Sequence, residues 1–340
     1  MILAGGLSTR LYPLTKQVPK PLVPVAGVPN AVHLIRYLRA YGYDDIAINV
    51  HYLSDAIVGT LGDGSRFGVR LTYSYEPELL GSAGGVKKLQ AFFADEPFVV
   101  VGCDDLTDLP LDRLTAFHRE RNAVATIGLV ECEEVDQYGV VVIDERGKIV
   151  GFQEKPVKGT ERSKLVNTGI YAFSPEIFER IPAEEFYDFG KQVFPALQSA
   201  DEPFYGFDAR GAYWADIGTP GEYRRASYDV VRGVFSIPGT RADGVDPSAV
   251  FGEGVKTEGA VWVGARARIG DGVSIVGPSI VGDGVTIEPN ARIERTILWA
   301  GATVGANATL RDSIVGIGYR IGPGTTLDNA AVANEEVPAS

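Results

Sequence analysis

Two cysteines in 340 residues, Cys103 and Cys132, are too few for a disulfide framework. They fit a reducing compartment and read as small buried apolar side chains rather than a redox pair. Basic runs are missing too: no stretch of Lys or Arg interrupts a chain of formal net charge -12. That excludes the electrostatic footprint of a protein that tracks nucleic acid or docks on an anionic membrane. Phosphate ligands must therefore be met locally. No basic region followed by a long apolar stretch opens the chain, and no segment reads as a transmembrane helix, so a cytoplasmic protein is expected.

What is present suits two ordinary domains, with 45% apolar residues. Up to about Val234, short β-branched runs (46–50, 69–75, 98–101, 125–130) alternate with amphipathic stretches (30–41, 111–121). This is α/β grammar, and it predicts a Rossmann-like, mostly parallel sheet with helices on both faces. Such sheets bind ligands in loops at the carboxyl ends of their strands. From about Ser248 the grammar changes: Val263, Ile269, Ile275, Val281, Ile287 and Ile293 fall six residues apart, several followed by glycine. The pattern resumes at Val304, Leu310, Val315 and Ile321, with eleven residues between Ile293 and Val304 and five between Leu310 and Val315. A hexapeptide with one inward aliphatic and a turn glycine resembles the left-handed parallel β-helix, at about three hexapeptides per coil. Roughly four coils are expected, with domains at 1–234 and 235–340. All three histidines, His33, His51 and His118, precede this repeat. That argues against the β-helix acyltransferases that use a histidine as base.

Four motifs carry candidate chemistry. Residues 3–15, LAGGLSTRLYPLT, open after a strand and are followed by PKPLVPVAG at 19–27. Glycine there lets backbone N–H groups close on phosphate oxygens, and Arg10 and Lys20 supply cations. The apolar run of FVVVGCDDL (98–106) ends in two carboxylates, Asp104 and Asp105, which packing does not require. Asp108 is a candidate cap for the helix starting near Leu111. YWADIGTPGEY (213–223) offers Asp216, and GFQEKP (151–156) is followed by LVNTGIYAF (165–173).

Taken together these segments resemble the NDP-sugar pyrophosphorylases, the sugar-1-phosphate nucleotidyltransferases, over nearly the whole chain. That family usually shows Gly-Gly-x-Gly-Thr-Arg-Leu and then Pro-Lys-Pro, and some of its adenylyl- and guanylyltransferases carry a β-helix. Two departures stand out: Ser8 replaces the third glycine, and Cys103 replaces the glycine of Asn-Gly-Asp. If the turn needs positive φ, Ser8 adds strain of order 1 kcal/mol.

The resemblance implies a Mg²⁺ enzyme joining a nucleoside triphosphate to a sugar 1-phosphate, with pyrophosphate as the other product. It makes Asp104 one metal ligand, in preference to Asp105, and Asp216 the second. It assigns Leu3, Ala4, Gly5, Gly6, Ser8, Thr9, Arg10 and Asp104 to the nucleotide, with Gly81, Ser82 and Ala83 beside base and ribose. Glu76 falls where a base-reading glutamine is common, and an acceptor-only carboxylate suits the adjacent donors of guanine. Gly139, Glu154, Lys155, Asn167, Thr168 and Asp216 would hold the sugar phosphate, with Arg10, Lys20 and Lys155 as catalytic cations. GTP and mannose 1-phosphate are the expected pair. Glucose 1-phosphate with dTTP or ATP, or a non-catalytic regulatory paralogue, are the alternatives. The β-helix is expected to do no chemistry and to mediate a homo-oligomer.

Overall fold

The computed structural model describes residues 1–93, 96–236 and 244–334. The expected domain boundary near 235 is followed by residues 237–243, which lie outside the described residues, as do 335–340. The chain forms two compact units, one from residues 1–7 and 34–215 and one from 8–33 and 216–340.

The first unit is built on a mixed nine-stranded sheet. Its shortest strand, Ile2–Ala4, is central and parallel to Asp45–Val50 on one side and Phe98–Gly102 on the other. Arg70–Tyr75 extends this parallel part. Beyond Phe98–Gly102 the long strand Leu165–Phe173 runs antiparallel and also pairs with Ala125–Glu131 and Gly139–Ile143. Asp45–Val50 and Phe98–Gly102 are buried over nearly their whole length, as strands in the interior of a sheet covered on both faces must be. The helices Asn30–Ala40 and Leu111–Glu120 lie where the apolar spacing put them. Asp108 does not cap the second: Pro110 precedes it, and Asp108 accepts from the Tyr213 N–H at 2.7 Å.

Rings fill the core beneath the antiparallel half. Phe93 stacks on Phe98, Phe173 on Phe189 and Phe194 on Phe204, with centroids 4.0, 4.7 and 5.2 Å apart. Burying each such ring stabilises the fold by about 1.5–3 kcal/mol, so the strands that lead to the site rest on a stiff base. His118 is buried in the same unit. Its Nε2 faces Ser174 Oγ at 2.9 Å, and that hydroxyl donates to Ala123 O, so Nε2 carries the proton and Nδ1 accepts from Thr126 at 2.8 Å. Desolvation, reinforced by Arg119, lowers its pKa from 6.5 to about 4. Below pH 6.5 the unfolded chain therefore takes up a proton that the folded chain refuses. We expect stability to fall by roughly 3 kcal/mol between pH 6.5 and 4, and His118→Gln to flatten that limb in denaturant titrations.

The second unit is a three-faced parallel β-helix with a helix and an N-terminal segment against it. Its faces carry six, five and five parallel strands. Every aliphatic of the hexapeptide series, from Val263 to Ile321, is buried in one core. Among the described residues there are five full coils and the first strand of a sixth, more than the four expected. The coil at 244–258 escaped the count because, as an end coil, it is covered on one side only: the positions in register with Val263, Ile269 and Ile275 are Val245, Phe251 and Thr257, all exposed, so a strict aliphatic series is not demanded there. The broken spacing also has a cause. Ile280 pairs with Trp262, 18 residues back, but Ile297 pairs with Ile280, only 17 back. One residue is missing from the corner between Glu294 and Ile297. Glycine is required where coils touch: a Cβ on Gly282 would lie 2.7 Å from the Leu298 carbonyl oxygen.

The helix Pro220–Val231 is tied to this β-helix. The fully buried Tyr223 hydroxyl donates to Pro24 O at 2.6 Å and accepts from Trp299 Nε1 at 2.8 Å. Arg224 reaches Asp312 O and Asn329 Oδ1, and Tyr228 reaches Arg295 O.

Candidate active site

In the first unit the chain leaves the central strand at Ala4 and turns at once through Gly5 and Gly6. Ala4 N–H donates to Asn49 Oδ1 at 2.8 Å, and Asn49 Nδ2 donates to Glu76 Oε1 at 2.9 Å. Glu76 Oε2 accepts from Leu80 N–H at 3.3 Å. Glu76 is only 1% exposed, so it is not a solvent-facing residue before Pro77, and both its oxygens are engaged by the protein. Glycine is required on both sides of the pair: a Cβ on Gly5 would sit 2.8 Å from Asn49 Nδ2, and one on Gly85 would sit 2.6 Å from Glu76 Oε1.

Gly81 begins the helix Gly81–Lys88 at φ +74°, with Tyr187 O where a Cβ would come within 2.5 Å. Tyr187 O also accepts from the N–H groups of Ala83 and Gly84. The Ser82 hydroxyl donates to Asp188 Oδ2 and accepts from Phe189 N–H, each at 2.9 Å. Its side chain is thereby committed to the 187–189 segment, and a ligand would meet this turn through its backbone.

At the neighbouring strand end the two carboxylates part company. Asp105 is buried, its Oδ2 accepting from Gly102 N–H and its Oδ1 from Trp214 Nε1, each at 2.9 Å. Asp104 is half-buried one residue earlier. Gly102 makes room for both, since a Cβ there would lie 2.8 Å from Asp105 Oδ2 and 2.9 Å from Asp104 Oδ1. Trp214 is steadied edge-on against Tyr138 at 5.0 Å and also donates to Thr168 O at 2.9 Å. Thr168 turns its own hydroxyl inward to Gly128 O at 2.8 Å, whereas Asn167 bonds Tyr171 Oη and Gly169 N–H. Successive strand residues face opposite ways, so these two cannot present side chains to one ligand.

Gly139 and Glu154 are directly paired across antiparallel strands. A Cβ on either Gly139 or Gly190 would approach Glu154 Oε2 to 3.1 Å. Although Glu154 keeps an exposed edge, desolvation raises its pKa and Asp188 adds to the rise, while Lys155 and Lys191 oppose it. Lys155 stands at φ +47° immediately before Pro156, a conformation that costs about 1 kcal/mol or more. Its N–H donates to Tyr138 O at 3.1 Å, which holds it there.

The second unit contributes its own cluster. Ser8 adopts φ +57°, so the turn does require the left-handed region and the serine carries the anticipated strain. Its carbonyl is fixed twice, by Leu11 N–H and by the Thr15 hydroxyl at 2.8 Å. Thr9 and Arg10 follow in a short 3₁₀ turn, and Lys20 opens another. Arg10 Nη2 lies 3.5 Å from Asp216 Oδ2, and Lys20 Nζ lies 4.0 Å from Asp216 Oδ1. Beyond Asp216, Gly218 leaves space, then Thr219 caps the next helix by accepting from Glu222 N–H, with Pro220 at its first position. A Cβ on Gly218 would come 2.5 Å from Asp216 Oδ1 and 2.8 Å from Arg10 Nη2. Gly218→Ala should therefore displace both charges and lower turnover roughly ten- to a hundredfold while the melting curve barely moves.

Sequence comparison decides what such clusters belong to. A family model described as nucleotidyl transferase matches residues 1–233. The chain belongs to the nucleotidyl transferase family. A second model, described as the GMPPB C-terminal domain, matches residues 257–340. A UTP–glucose-1-phosphate uridylyltransferase from Synechocystis is 40% identical over 324 residues, covering 88% of this chain and 82% of that protein. A mannose-1-phosphate guanylyltransferase from Mycobacterium tuberculosis is 34% identical over 300 residues, covering 87% and 82%. The solved structure of HddC from Yersinia pseudotuberculosis aligns with a TM-score of 0.58 at 28% identity, covering 66% of this chain and 96% of that one. This nucleotidyl transferase is thus a sugar-1-phosphate nucleotidyltransferase, an enzyme class whose substrates are a nucleoside triphosphate and a sugar phosphate and which generally uses a divalent metal.

Three residues of this nucleotidyl transferase escaped the motif reading: Asn49, Asp188 and Trp214. Asn49 had a visible signal, a lone amide in the apolar run 46–50. Trp214 lay inside a motif already singled out. Asp188 had none, because only the fold brings it to Ser82.

Proposed function

We propose that the enzyme joins GTP to mannose 1-phosphate, releasing pyrophosphate and GDP-mannose. One observation supports it most: Arg10 and Lys20, from a glycine-rich turn and a Pro-Lys-Pro segment, meet Asp216 beside Gly218. An ion pair as exposed as that of Arg10 adds little to folding, whereas two cations converging on one carboxylate suit phosphate oxygens. The sugar phosphate oxygen attacks the α-phosphorus in line and pyrophosphate leaves, with no covalent enzyme intermediate. Two anions must be brought together, so the work of the protein is alignment and charge neutralisation. Arg10 and Lys20 neutralise the triphosphate held by residues 3–9, Lys155 neutralises the sugar phosphate, and Glu154 and Asn167 accept from and donate to the sugar.

Asp104 and Asp216 are the carboxylates we assign to Mg²⁺. Asp105 is spent on Gly102 and Trp214, and no group of three or more His, Cys, Asp or Glu able to hold a metal occurs among the described residues. Hard oxygen donors, two carboxylates completed by substrate phosphates, fit Mg²⁺. The ion supplies positive charge to phosphate oxygens when bound. We take 1–234 as the catalytic domain and 235–340 as the β-helix domain, a division supported by the two family models. No helix of the described residues is long and apolar enough to cross a membrane. A cytoplasmic site is proposed because nucleoside triphosphates are made there, and a homo-oligomer through the β-helix because Val250 and Phe251 lie exposed on its first coil.

Pyrophosphate release from GTP, UTP, dTTP and ATP, each with mannose and glucose 1-phosphates, tests this. GTP with mannose 1-phosphate should be fastest. The Synechocystis relative favours a second reading, UTP with glucose 1-phosphate, and that pair winning would overturn the substrate choice. Silence from every pair would overturn the activity.

A further inference from the structure

Asn49 occupies a place that packing alone does not explain. It is 3% exposed, directly beside Leu3 in the parallel register, and its amide spans the gap between the first strand and Glu76. Its Oδ1 takes the Ala4 N–H and its Nδ2 meets a carboxylate; the flipped amide would oppose donor to donor and acceptor to acceptor. The pair is clamped by glycines, Gly5 on one side and Gly85 on the other, each lacking the Cβ that would strike it. A buried carboxylate and amide cost desolvation that an apolar pair would avoid. They do connect the last residue of the strand, the start of the glycine turn and the helix Gly81–Lys88.

We propose that Asn49 is a positioning residue, which locks the Gly5–Gly6 turn to Glu76 so that the turn's N–H groups face the triphosphate in one fixed place. This rests on the reading above that residues 3–9 hold the triphosphate. Because phosphates are common to all nucleotides, the device acts equally on every base.

Asn49→Asp tests it. Aspartate still accepts from Ala4 but sets a second carboxylate against Glu76, and two such groups share a proton, one being raised well above its usual range. We expect KM for GTP, UTP, dTTP and ATP to rise together, roughly tenfold or more at about pH 8, with a smaller change in kcat. The deficit relative to the unmodified enzyme should shrink towards about pH 6, as a proton rejoins the two oxygens. Adding Glu76→Gln reverses donor and acceptor, the introduced amide now donating to the introduced carboxylate, and should recover most of the lost KM and remove the extra pH dependence. Amide exchange at residues 4–6 should speed up in the single variant and slow again in the double.

An unchanged KM in Asn49→Asp, a deficit confined to one base, or a double variant no better than the single would overturn the proposal. If Asn49→Asp does not fold, the double variant decides by its KM and exchange rates alone. Should the unmodified enzyme turn over no nucleotide at all, the functional reading falls, while the exchange pattern still decides whether Asn49 holds the turn.

Discussion

Lys20→Ala is expected to fold normally and to release pyrophosphate roughly 100- to 1,000-fold more slowly, the loss typical when one preorganised charge is removed from a developing anion. Lys20 is held between Pro19 and Pro21 at the start of a short 3₁₀ turn, with its ammonium 4.0 Å from Asp216 Oδ1. Proline on each side fixes the backbone, so truncating the side chain leaves the turn in place. The effect should fall mainly on kcat, because neutralising charge that builds up in the reaction counts more than neutralising charge already on the substrate. Lys20→Arg should recover only part of the rate, since a planar guanidinium does not sit where a compact ammonium sits. Near-normal turnover in Lys20→Ala would end its assignment as a catalytic cation.

Residues 8–33 and 216–233 belong to the same compact unit as the β-helix, and Tyr223 links Pro24 to Trp299 within it. Arg10, Lys20 and Asp216 thus share a compact unit with coils whose described residues include no histidine.

Period and spacing made most of the architecture legible. A six-residue period admits few structures, and the ten aliphatics that define it are all buried. What the pattern missed was an end coil covered on one side only, and a sheet half that runs antiparallel: the run 165–173 reads as a strand in either direction, so direction had no local signature. That Arg10, Lys20 and Asp216 lie together followed from no spacing, although each stood out as a charge inside a glycine- or proline-rich motif. The supports were not legible. Ser82, Thr168 and Glu76 sit in motifs, yet the fold turns their side chains to Asp188, Gly128 and Asn49, partners 106, 40 and 27 residues away. A motif marks where a segment matters, and tertiary contacts decide which of its atoms are left for a ligand.

The adjacent pair Asp104 and Asp105 puts that distinction to its hardest test. Asp104→Asn should keep the fold, lose roughly 100- to 1,000-fold in rate and need far more Mg²⁺ for half-maximal turnover, because an amide removes a charged ligand without removing bulk. Asp105→Asn should do the reverse. Its two oxygens accept from Gly102 N–H and Trp214 Nε1, so an amide must turn its NH₂ towards one of those donors: either Gly102 N–H loses its acceptor, or the NH₂ opposes Trp214 Nε1, which keeps only Thr168 O. That costs about 1–3 kcal/mol of stability, visible as an earlier denaturation midpoint, while the Mg²⁺ requirement of the folded fraction stays where it was. Measuring Mn²⁺ binding to each variant separates ligand from scaffold without relying on turnover. If Asp105→Asn abolished metal binding and Asp104→Asn did not, the roles of the two carboxylates would have to be exchanged.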